Sequence, residues 1–123
     1  RCRDRCLSGT PLQCGRDSKV FQKGTDPGID SYSGFFDNGH RKSTGLGEWL
    51  REKGVTEVFV CGLATDYCVK FTALDALQFG FKTTLIEDAS RGVNLRPDDV
   101  KNAIEEMKRA GAKAVMSDEL VNQ

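Results

Sequence analysis

No run of apolar residues in this 123-residue chain is long enough for a signal-peptide core or a membrane span, which argues for the cytoplasm or another reducing compartment. Net charge is also missing. The formal balance is +0, so no overall field draws in nucleic acid or an anionic membrane. Histidine occurs once, as His40 between Gly39 and Arg41, where a solvated loop side chain is the ordinary reading. The five cysteines are an odd number, unlike the even sets of secreted disulfide scaffolds. Cys2, Cys6 and Cys14 match no standard zinc spacing, and no fourth ligand stands nearby. No internal repeat is visible.

What is present fits one soluble, globular domain: 38% hydrophobic and 29% charged residues, on a chain able to bury a core of modest size. Residues 1–19 carry five Arg or Lys against two Asp, an excess of +3, and lack any helical or strand period. With Pro11 and Gly15 as breakers, that segment reads as loop or disorder. Val20 to Lys23 reads as a short strand stopped by Gly24. Residues 24–45 then form a connection dense in Gly, Asp and Ser, with Tyr32, Phe35 and Phe36 in it. A loop that long in a compact domain is usually functional.

Regular structure is expected from Thr44 onward. Thr44 is a plausible N-cap for a helix with Leu46, Trp49 and Leu50 on one face, closed by Gly54. A strand over 57–62 follows, then a helix over 66–79 with Thr65 as its N-cap. Its small-residue stripe, Val69, Ala73, Ala76 and Gly80, suits close approach to a sheet, widened by Phe71, Leu74 and Leu77. Lys82 to Ala89 reads as a strand. Pro97 opens the helix bearing Val100, Ala103, Ile104, Met107 and Ala110, capped by Gly111, and 112–116 reads as a last short strand. Strands alternating with helices predict a parallel sheet covered on both faces, with the chemistry at the carboxyl ends of its strands.

The chemical candidate is Cys68, placed in the first turn of the second helix. Unpaired backbone N–H groups and the positive end of the helix dipole favour a thiolate there, and the thiolate is the nucleophile. The bland alternative is a small buried hydrophobe. Lys23 ends one strand and Cys68 follows another, so a cation and a thiol can share one rim.

Lys23-Gly24, Asp30 to Phe36, the run Gly62-Leu63-Ala64-Thr65-Asp66-Tyr67-Cys68-Val69, Thr72 to Ala76 and Arg91-Gly92-Val93 resemble nicotinamidases of the isochorismatase-like cysteine hydrolase family. The resemblance covers residues 20–121 and implies a three-layer α/β/α fold with a parallel sheet. It implies an Asp-Lys-Cys triad in which Cys68 is the nucleophile and Lys23 holds the thiolate. It further implies a cis Leu63–Ala64 peptide, an oxyanion site on the backbone N–H groups of Ala64 and Cys68, and a substrate pocket lined by Tyr32, Leu63, Ala64 and Tyr67. The implied substrate is nicotinamide, hydrolysed to nicotinate through a cysteine thioester, although relatives that cleave carbamoyl or ureido groups share the cysteine.

Family members also carry a catalytic aspartate and the ligands of a divalent metal (zinc, iron or manganese) early in the domain, and nothing in residues 1–22 matches either. The chain therefore reads as a non-matching leader, 1–19, before the later portion of such a domain, 20–123, truncated on its N-terminal side. Negligible activity alone and association into homo-oligomers are the expectations that follow. The competing readings are a non-catalytic remnant that binds ligand or partner subunits, and a redox thiol protein using Cys61 and Cys68, a pair unpromising for direct bonding.

Overall fold

The computed structural model describes residues 19–24, 28, 31–40 and 42–121. Residues 1–18 of the expected 1–19 leader, and Asp30, lie outside the described residues. Three strands, β1 (Glu57–Leu63), β2 (Lys82–Arg91) and β3 (Lys113–Val115), form a parallel sheet in the order β1-β2-β3. Parallel neighbours need long crossovers, and helices supply them. A π-helical turn (Thr65–Val69) runs into α2 (Lys70–Gln78) between β1 and β2, and α3 (Asp99–Ala110) joins β2 to β3. Two short helices flank this unit, α1 (Leu46–Glu52) before it and α4 (Ser117–Val121) after it. This is the α/β/α class that the alternation of strands and helices predicts.

The core forms where the small-residue stripe of α2 meets the sheet. Val69, Ala73 and Ala76 are fully buried, together with Val58, Val60 and Leu85 from the strands and Ala103 and Met107 from α3. Side chains without bulk let the helix axis approach the sheet. Phe71 departs from the expected face: it is 37% exposed and is covered by the Tyr32 ring instead. Gly111 ends α3 in the left-handed region at φ 117°, as a C-cap glycine should.

Several local expectations are corrected. Residues 19–24 are irregular, not a strand. Val20 is 63% exposed, and Phe21 packs edge-on against Trp49 at 5.5 Å rather than joining the sheet. The residue preceding α1 is Gly45, at φ 89°, and not Thr44, whose hydroxyl nonetheless accepts the Leu46 N–H. Ala64, not Thr65, precedes the second helix, and that helix opens as a π turn. β2 runs on to Arg91, past the expected end at Ala89.

A cluster of phenylalanine rings anchors α1. Phe79 packs against Phe35, Phe36 and Phe81, with centroids 5.3, 5.6 and 6.1 Å away. A Cβ at Gly47 would lie 2.4 Å from the Phe79 ring. Gly47→Ala should therefore destabilise the fold by about 1–3 kcal/mol through overpacking. Urea unfolding should show a lower midpoint with an unchanged slope. An unchanged midpoint would mean that Phe79 does not lie against this helix.

Candidate active site

The carboxyl end of β1 delivers the backbone to the candidate site. The Leu63–Ala64 peptide is cis, the geometry that the family resemblance implied. Ala64 is extended, and its carbonyl accepts both the Tyr67 N–H (3.1 Å) and the Val69 N–H (3.0 Å). Those two bonds bracket Cys68 and fold the π turn around it. Beside this turn the sheet register breaks: β1 steps from Val60 to Gly62 while β2 steps from Leu85 to Ser90. The Ser90 hydroxyl closes this bulge on the Ile86 carbonyl at 3.0 Å. The end of β2 is thereby re-aimed, so that Arg91 pairs with Leu63.

Cys68 is a half-buried free thiol, whereas Cys61, one strand position before Gly62, is disulfide-bonded. This removes Cys61 as a free thiol partner for Cys68. An aromatic wall stands beside the turn. The Tyr32 ring lies 5.6 Å from that of Tyr67 and 5.7 Å from that of Phe71, stacked on the latter. Phe71 is the member of this wall that the sequence reading left out. Its spacing of four from Tyr67 was the available signal.

Lys23 is tied to the aromatic loop. Its ammonium donates to the Tyr32 carbonyl at 2.8 Å. It lines an open cleft with Gln22, Ser31, Asp37, Lys42 and Thr44, of which Cys68 is not part. The structure thus joins Lys23 to Tyr32, and Tyr32 to Tyr67, while Leu63 stands 69% exposed at the rim.

Asp66 is a residue beside the cysteine turn to which the sequence assigns no role. It is buried, and each carboxylate oxygen takes one backbone N–H: Oδ1 from Val93 (3.0 Å), Oδ2 from Asn94 (2.9 Å). Burial is the largest influence and opposes its charge, but the Val93 and Asn94 N–H groups, with Asp66's own N–H and the Lys70 charge, together outweigh it and hold the carboxyl below its ordinary value. The loop after β2 is thereby clamped beside the cysteine turn. On the far side, Asp88 holds the start of α4 by accepting from the Ser117 hydroxyl (2.7 Å) and N–H (2.8 Å).

His40 is exposed, as expected of a loop histidine, but it has partners. Its Nε2 lies 3.3 Å from Oδ1 of the buried Asp75, and its ring stacks on Phe36 at 4.7 Å. Among the described residues no three His, Cys, Asp or Glu gather closely enough to hold a metal ion. These residues therefore do not fit the divalent metal that the resemblance implies, and no step below passes through one.

With strands parallel and helices returning each to the same end, the class is the three-layer α/β/α fold of the isochorismatase-like hydrolases. The isochorismatase domain model matches residues 27–119, and the chain belongs to that family. Its particular relatives are nicotinamidases. It is 58% identical over 93 residues to the nicotinamidase of Escherichia coli, covering 76% of this chain and 44% of that protein. With the nicotinamidase/pyrazinamidase of Mycobacterium tuberculosis the identity is 40%, over 91% of this chain and 61% of the other. Among solved structures, an Acinetobacter nicotinamidase/pyrazinamidase superposes with a TM-score of 0.71 at 44% identity, covering 75% of this chain and 44% of that one. The pyrazinamidase of Pyrococcus horikoshii in complex with zinc gives 0.72 at 39% identity, over 91% and 62%. The chain spans 44% and 45% of the length of the E. coli and Acinetobacter baylyi nicotinamidases.

Proposed function

We propose that this chain is the cysteine-bearing portion of a nicotinamidase-type amidohydrolase, acting in the cytoplasm, with Cys68 as its nucleophile. The observation that carries the reading is a free thiol in the turn after β1, next in sequence to Tyr67, whose ring joins those of Tyr32 and Phe71 in one aromatic wall. A flat pyridine ring suits that wall, with Leu63 and Ala64 at its edge. The Cys68 thiolate attacks the carboxamide carbon and forms a C–S bond. The carbonyl oxygen takes up the negative charge against the backbone N–H groups of Ala64 and Cys68. The C–N bond then breaks as the amide nitrogen takes a proton from water and leaves as ammonia, and attack of the resulting hydroxide on the thioester breaks the C–S bond, giving nicotinate and the Cys68 thiol. Lys23 supports this arrangement through the Tyr32 carbonyl.

Turnover by this chain alone should be near background. Positioned proton transfer contributes roughly 10²–10⁴-fold, and neither the aspartate nor the metal of the family pattern is matched here. Apolar side chains exposed at the strand ends, Leu63, Val93 and Leu95, also favour self-association.

A yeast nicotinamidase has been solved with nicotinaldehyde, described as an inhibitor. The same aldehyde tests this chain without requiring turnover, because a thiol adds reversibly to its carbonyl carbon. Nicotinaldehyde should slow iodoacetamide alkylation of Cys68, mapped by peptide mass spectrometry, while ammonia release from nicotinamide stays near background. Absence of protection would remove the nucleophile assignment. Clear Cys68-dependent ammonia release would overturn the expected inactivity.

A further inference from the structure

We propose that Thr72 is a positioning residue that sets the aromatic loop in register with the Cys68 turn. The proposal rests on the reading of Cys68 as the nucleophile for its consequence, but not for its geometry. Thr72 is 2% exposed, and its hydroxyl donates to the Cys68 carbonyl at 2.6 Å. A threonine bonding back four residues is common in helices and by itself indicates nothing. The second bond is what matters. The same oxygen accepts the Gly34 N–H at 2.9 Å, from a segment 38 residues away in the chain.

The two rows of side chains on this helix explain the effect. Tyr67 and Phe71 form one row at a spacing of four, and Cys68 with Thr72 forms the adjacent row. Tyr32 stacks on the first row, and the Gly34 peptide bonds to the second, two residues later. The loop therefore crosses both rows and cannot slide along the helix without losing one of them. Its outer side is pinned as well: the Thr44 hydroxyl donates to the Gly34 carbonyl (2.6 Å), and Lys23 donates to that of Tyr32 (2.8 Å). One buried hydroxyl thus links the nucleophile's own peptide to the wall that receives the substrate ring.

The test compares Thr72→Val, which keeps the shape but cannot accept a hydrogen bond, with Thr72→Ser, which can. The first readout is amide exchange by NMR. Gly34 should be protected in the native chain and lose protection by about tenfold or more in T72V, with Val60 unchanged, because a buried N–H has lost its acceptor. T72S should restore it. The second readout is the ratio of Cys68 alkylation rates for a bulky maleimide and for iodoacetamide. That ratio should rise several-fold in T72V as the wall loosens and return in T72S. A general loss of stability would raise both rates together and leave the ratio unmoved. Gly34 exchanging as fast as exposed Asn38 in the native chain, an unchanged Gly34 in T72V, or a T72S that behaves like T72V would each overturn the proposal. Should T72V fail to fold, the native and T72S exchange rates decide it. Nicotinaldehyde protection of Cys68 is independent of Gly34 exchange, so failure of the functional reading is distinguishable from failure of this one.

Discussion

Replacing Cys68 with alanine is expected to abolish aldehyde capture outright while leaving the fold intact. Among the described residues Cys68 carries the one free thiol, and a thiol can add to a carbonyl carbon and later leave as a thioester sulfur. Cys61 cannot substitute for it, being disulfide-bonded. The side chain is half-buried and does not belong to the core that Val69, Ala73 and Ala76 fill, so loss of one sulfur atom should cost little stability. Carbon-13 NMR with labelled nicotinaldehyde should show a thiohemiacetal resonance with the native chain and none with Cys68→Ala, and any trace of ammonia release should fall to background. A thiohemiacetal that persists in the variant would place the nucleophile elsewhere.

Asp66→Ala is expected to be the most destabilising of these substitutions, at roughly 2–4 kcal/mol. Two backbone N–H groups, of Val93 and Asn94, would lose a charged acceptor at once, and hydrogen bonds to charged groups contribute about 1.5–3 kcal/mol each before partial rescue by water. Asp66→Asn should cost less, since one carbonyl oxygen remains, but its amide would face the other N–H. The pH dependence follows from the direction of the shift. The folded-state carboxyl titrates below its ordinary value of 3.8, so its stabilisation is complete above that value. It is lost as pH falls through the folded-state value. Urea midpoints measured from pH 7 down to pH 3 should thus fall less steeply for Asp66→Asn than for the native chain. Parallel acid limbs would show that the clamp is not formed by the charged carboxylate.

The sequence by itself determined the periodic elements and pointed to Cys68 as the candidate for the chemistry. Val58 and Val60 alternate as a strand does, the Ala73 and Ala76 stripe marks the buried face of α2, and Gly111 ends α3. Each is a local pattern that neighbouring residues enforce. The motif around Cys68 carried the family, and with it the cis Leu63–Ala64 peptide. Tertiary structure decided what local patterns cannot encode. Val20 to Lys23 looks like a strand, but strands exist only where a partner edge pairs with them, and Phe21 packs on Trp49 instead. The bulge before Ser90 and the π turn at Cys68 answer to register and close packing, not to propensity. Asp66, Thr72 and His40 are ordinary polar residues when read along the chain. They gain partners only because folding brings acceptors and donors 27, 38 and 35 positions away within hydrogen-bonding or ion-pairing distance, and for the buried Asp66 and Thr72 burial leaves polar groups no water to turn to.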